Sequence, residues 1–102
     1  MKCSSYGLFF EAISSPLRIN ILEALLQKPM CVNELCETLN QEQSKISHNL
    51  KKMSDCHILN VKQEGKKRVY SLNSETIVPL MNLVEQHVSR FCTGECVKKV
   101  RK

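Results

Sequence analysis

The hydrophobic period changes twice along this chain, and that constrains its fold more than any single residue does. Up to Met53 the apolar residues recur at threes and fours, as in Ile46, Leu50 and Met53. That spacing gathers them on one face of an α-helix. From Ile58 to Leu72 the pattern is extended. Ile58-Leu59-Asn60-Val61-Lys62-Gln63 and Arg68-Val69-Tyr70-Ser71-Leu72 flank Glu64-Gly65-Lys66-Lys67. Two short strand-like runs around a glycine turn predict a β-hairpin. Helical spacing then returns at Ile77, Leu80, Met81, Val84, Val88 and Phe91. The expected fold class is therefore mainly α with one β-hairpin.

Punctuation residues divide the helical parts. A first helix over residues 5–14 carries Leu8, Phe9, Ala12 and Ile13 on one face. Ser15-Pro16 is a start signal, because serine caps a helix and proline costs nothing in its first turn. Ile19, Leu22 and Leu26 then repeat to about Lys28, and Pro29 ends that helix. Cys31-Val32-Asn33-Glu34 has the form of a capping box with cysteine in the cap position. A short helix over Val32–Leu39 follows, with Val32, Leu35, Cys36 and Leu39 as its apolar stripe. Asn40 suits a tight turn, and a fourth helix runs from about Glu42 to Ser54. The last helix is expected over residues 74–92, with Gly94 as its stop signal. The order is H-H-H-H-E-E-H, and 102 residues suit a single domain, 1–102. No run approaches 18 apolar residues, the opening MKCSSYGLFFEAISS lacks the form of a signal peptide, and glycine and proline number three each. A cytoplasmic, helix-rich domain with no membrane partner is the expectation.

Charge is concentrated in the middle. Residues 1–40 are net −1, residues 41–68 are net +4 and residues 69–102 are net +2. The middle surplus comes from Lys45, Lys51, Lys52, Lys62, Lys66, Lys67 and Arg68. A solvated face and a polyanion-binding face look alike on charge alone. The helix pattern separates them. Two short helices joined by a tight turn, about 32–54, form a helix-turn-helix. The outer face of the second carries Gln43, Ser44, Lys45, Ser47, His48 and Lys51, side chains that bond base edges and phosphates. A hairpin at about 58–72 with Lys66, Lys67 and Arg68 at its tip makes the motif a winged helix-turn-helix. Double-stranded DNA is the expected partner.

The runs SPLRINILEALL, CVNELCETLNQEQSKISHNLKKM and ILNVKQEGKKRVYSLN resemble the ArsR/SmtB family of winged-helix repressors, and most of all its arsenic-responsive members. The resemblance spans Ser15 to Asn73. It implies a homodimer, with the helices at about 5–14 and 74–92 at the two-fold interface. It also implies operator DNA bound without ligand and released by a soft metal or metalloid such as As(III). Two departures matter. Asn33 stands where the arsenic-responsive members carry the middle one of three thiols, in a run of Cys-Val-Cys followed by Asp-Leu-Cys. Ser74 and Thr76 stand where zinc-type members carry Asp-x-His, and Arg90 follows His87 in place of a further ligand.

Six cysteines, Cys3, Cys31, Cys36, Cys56, Cys92 and Cys96, remain to read such an inducer. Cys31 at a helix N-terminus favours thiolate. Cys92 and Cys96 stand at i and i+4, so a continuing helix brings their sulfurs to one soft ion, with a third donor from Cys3 or from Cys31 of a second copy. Cys36 is the weaker candidate because it lies on an apolar stripe, and Cys56 reads as packing. No obligatory cofactor is expected. Two alternatives stay open: a thiol-based persulfide or redox sensor of the same fold, and a regulator with no metal inducer. An enzyme is not expected, because no anion cradle or nucleophile–base pair is present.

Overall fold

The computed structural model describes residues 5–92. Their elements are α1 (Tyr6–Ile13), α2 (Pro16–Gln27), β1 (Met30–Cys31), α3 (Val32–Leu39), α4 (Gln43–Asp55), β2 (Leu59–Glu64), β3 (Lys67–Leu72) and α5 (Ile77–Phe91). Ser5 and Ser15 cap the first two helices through their hydroxyls, which accept from the N–H groups of Leu8 and Arg18 at 3.2 and 3.1 Å. Lys28, forced away from helical geometry by Pro29, is fully extended and closes α2. Among the described residues no helix is long and apolar enough to cross a membrane.

Two turns set the angle between the helices. Asn40 ends α3 in the left-handed region at φ 55°, where its amide side chain is tolerated. His57 takes φ 61° after α4. Around it the N–H of Ile58 donates to the Met53 carbonyl and the N–H of His57 to the Ser54 carbonyl, both at 3.0 Å. This is a Schellman closure, and its characteristic apolar contact is made by the fully buried Met53 and Ile58. Ile21, Leu22, Leu35, Ile46, Leu50, Met53 and Ile58 form the driest part of the core. Each contributes roughly 1.5–3 kcal/mol through burial.

The structure corrects the sequence reading in five places. The wing is part of a three-stranded antiparallel sheet, ordered β1-β3-β2, because Met30 pairs with Tyr70 and Cys31 with Val69. The hairpin register places Glu64 opposite Lys67, leaving Gly65-Lys66 as a two-residue turn with Gly65 at φ 62°. α2 buries Ile21, Leu22, Ala24 and Leu25, whereas Ile19 and Leu26 are 41% and 39% exposed. Its expected stripe thus mixed two faces, because this helix is apolar on both. α5 begins at Ile77 rather than near Ser74. Asn73 intercepts the chain there: its Oδ1 accepts from the Glu75 N–H and its Nδ2 donates to the His57 carbonyl, both at 2.9 Å. Pro79 fits inside the first turn of the helix, where no partner for its nitrogen is needed. Finally, α5 ends at Phe91, and Cys92 leaves helical geometry at φ −113°, ψ 56°.

Candidate nucleic-acid interface

α4 is built with one dry face and one wet one. Ile46, Leu50 and Met53 are wholly buried. Gln43, Ser44, Lys45, Ser47, His48, Lys51 and Lys52 are all exposed. At about 100° per residue, Ser44, His48 and Lys51 lie opposite the buried line. Lys45 lies on the flank toward the start of α2, where it borders a cleft with Ser15, Pro16 and Asn20. Gln43 and Ser47 occupy the other flank. Lys51 is ion-paired with Asp55 at 3.6 Å, with both side chains largely solvated. Such a pair contributes at most about 1 kcal/mol and yields readily to a phosphate.

Asn49 differs from these exposed polar residues of α4. It is half-buried, and its Oδ1 accepts from Arg18 Nε at 2.8 Å. Sequence reading missed both residues, since nothing local marks a partner 31 positions away.

α4 packs against β2, which brings the wing beside it. Lys66, Lys67 and Arg68 are exposed. They are not one patch. Side chains alternate along a strand, so Arg68 shares a face with Tyr70 and Leu72, and Lys67 shares the other with Val69. Glu34 feels Lys67. Its carboxyl is held below the ordinary glutamate value, first by the Cys31 N–H, which donates to Oε1 at 3.0 Å. Partial desolvation opposes this; the Cys31 thiol, Lys28 at 3.8 Å and Lys67 reinforce it.

The four described thiols belong to different parts of the fold. Cys31 occupies the N-cap of α3 as expected and is 7% exposed, shielded by its pairing in β1. Cys36 and Cys56 are half-buried against the core. Cys92 is half-buried at the end of α5. Cys3 and Cys96 lie outside the described residues, and so does the i, i+4 pairing expected of Cys92 and Cys96. Among the described residues no group of three or more His, Cys, Asp or Glu comes together to hold a metal ion.

A second surface is apolar. Phe10 and Ile13 of α1, Ile19 and Leu26 of α2, and Leu80, Val84 and Val88 of α5 line a groove of about 400 Å³. Phe10, Leu83 and Phe91 are more than half exposed on or near it.

Comparison with known proteins agrees with this geometry. Residues 15–61 match the model of the bacterial regulatory protein arsR family. The chain is 30% identical to the HTH-type transcriptional regulator NmtR of Mycobacterium tuberculosis over 84 residues, covering 82% of this chain and 70% of that one. It is 28% identical to an arsenical resistance operon repressor of Staphylococcus xylosus, covering 94% and 100%. It is 26% identical to the transcriptional repressor SmtB homolog of Synechocystis and spans 61% of that protein's length, with 78% of its own matched. In fold it is similar to the homodimeric winged helix-turn-helix DNA-binding domain Mb0332 of Mycobacterium bovis, at a TM-score of 0.73 and 22% identity, covering 78% and 73%.

Proposed function

The chain belongs to the arsR family of bacterial regulatory proteins, whose members are DNA-binding transcription regulators and not enzymes, and from that premise we propose that it is a homodimeric repressor reading operator DNA with α4. The observation that carries this is the division of α4 into a fully buried apolar line and an exposed face of Ser44, His48 and Lys51, flanked by Gln43, Ser47 and Lys45. Gln43, Ser44, Ser47 and His48 supply base contacts; Lys45, Lys51, Lys66, Lys67 and Arg68 supply phosphate contacts. A second copy covers the apolar groove of α1, α2 and α5, as exposed apolar patches of this kind require. The two α4 helices then meet half-sites about 34–36 Å apart.

The inducer we propose is a soft thiophilic metal or metalloid, arsenite-like, acting through cysteine thiolates. Fully described donors do not complete a site within one subunit. Cys92 and Cys96, with Cys31 and then Cys36 as further candidates, are the thiols to test. Cys92 directly follows the last residue of the helix that borders the groove, so a bridge there acts on subunit spacing rather than on DNA.

The experiment selects duplexes from a random pool with the wild-type protein, then titrates arsenite and Cd(II) against the complex. Palindromic enrichment and release by the ion are expected, with release lost in Cys92→Ser/Cys96→Ser. No enrichment sinks the operator reading. Release that persists in that variant and in Cys31→Ser sinks the ligand assignment. Wild type that never releases leaves a repressor without a metal inducer.

A further inference from the structure

Arg18 touches three helices at once. Its backbone N–H caps the start of α2 on Ser15. Its Nη1 donates to the carbonyl of Ala12, near the end of α1, at 3.1 Å. Its Nε donates to Asn49 Oδ1, in the middle of α4, at 2.8 Å. The chain of bonds continues, because Asn49 Nδ2 donates to the Lys45 carbonyl at 2.8 Å. The two guanidinium bonds are partly buried. They therefore compete with water less than the solvated Lys51–Asp55 pair does.

A guanidinium is a rigid planar fork. It satisfies both acceptors only while α1 and α4 keep one relative orientation. Tilting α4 breaks the Asn49 bond or drags the fork off Ala12, and each loss leaves a partly buried polar group without its partner. The fork is thus a gauge for the angle between the two helices. α1 also presents Phe10 and Ile13 to the apolar groove, on the other side from its contact with Arg18. The bonds run from the helix that a second copy covers to the helix whose outer face carries Ser44, His48 and Lys51.

We infer that Arg18 and Asn49 are positioning residues for DNA recognition: the Ala12–Arg18–Asn49–Lys45 chain sets the presentation of α4 relative to α1 without touching DNA. This rests on the reading of α4 as the recognition helix.

The test compares Arg18→Met, Arg18→Lys, Asn49→Ala and the double variant Arg18→Met/Asn49→Ala with wild type. Affinities are measured for the duplex selected by wild type and for random duplex, across salt, alongside subunit mass and thermal midpoint. Each single variant is expected to bind the selected duplex about tenfold more weakly, the loss that follows from one or two hydrogen bonds of this kind. Random-duplex affinity, salt slope and dimer mass stay within about twofold of wild type. The double variant is expected to be no worse than the worse single, because both residues belong to one chain of bonds. Arg18→Lys keeps the charge but not the fork and behaves like Arg18→Met. Loss on both duplexes, with the salt slope reduced by about one, would make Arg18 a phosphate contact and overturn the inference. So would additive losses in the double variant, or full activity in Asn49→Ala, which folds with Arg18 intact. If wild type selects no duplex, the recognition reading itself falls, and this inference with it.

Discussion

α4 and α5 are of similar length, 13 and 15 residues, and both carry an apolar stripe at helical spacing, yet their fates differ. α4 buries Ile46, Leu50 and Met53 completely within its own subunit. α5 buries only Ile77, and leaves Leu83, Val84 and Val88 at 62%, 44% and 41% exposure. The amphipathic pattern says that a helix has a face to hide; it does not say which molecule hides it. α4 is finished in cis. α5, with the outward sides of α1 and α2, is finished by a second subunit under the reading proposed above.

Three substitutions would break or sharpen that contrast. The largest effect is expected from Val84→Asp, which puts a charge in the groove. The protein should run as a monomer in sedimentation, and operator affinity should fall about 10²–10⁴-fold, since two linked sites become independent. The subunit should keep its helical circular dichroism; a dimer that survives, or a subunit that unfolds, would erase the distinction between the helices. Leu50→Ala strikes the other helix. It should cost about 2–5 kcal/mol in urea unfolding, extrapolated at one protein concentration. A cost below about 1 kcal/mol would mean that the dry side of α4 is not completed within the subunit.

The smallest effect concerns the start of α3, which carries α4. Glu34 has a lowered pKa in the folded state because the Cys31 N–H bonds its carboxylate. A depressed carboxyl stabilises the fold above the unfolded value of about 4.3, and that stabilisation is lost as pH falls through the folded value. Glu34→Gln should lower the urea midpoint slightly at pH 7. The gap to wild type should close on acidification, and a gap constant with pH would assign the effect to something other than ionisation.

What could be read from sequence was what local chemistry decides. Ser15-Pro16, Asn40 and Glu34 each act on backbone groups within a few residues, and each behaves in the structure as its type and position imply. The bounds of α3 follow from the same cause. What escaped is non-local. β1 is two residues long, too short to show alternation, and exists only because Tyr70 and Val69 lie beside it. The two faces of α2 are both apolar, so periodicity could not rank Ile21 over Ile19. Asn73 takes the Glu75 N–H with its side chain and the Ile77 N–H with its carbonyl, which starts α5 later than residue 74. At the interface the exposed residues of α4 were legible because its buried stripe fixes its opposite. The bond between Arg18 and Asn49 was not, since a lone arginine in a first turn names no partner.

The seam between β1 and β3 gives the wing a mechanical character. β3 is paired on both sides at Tyr70 and Val69, but beyond them its only paired strand is β2, through the pairs Gln63–Arg68 and Glu64–Lys67. The hairpin is a cantilever: a root stitched to the entrance of α3 and a free end two residue pairs long, roughly 7 Å at strand rise. A load on Lys66 bends that free end while the root holds. The tip can follow a phosphate backbone whose path varies from one sequence to another, and α4 keeps its seat while it does so.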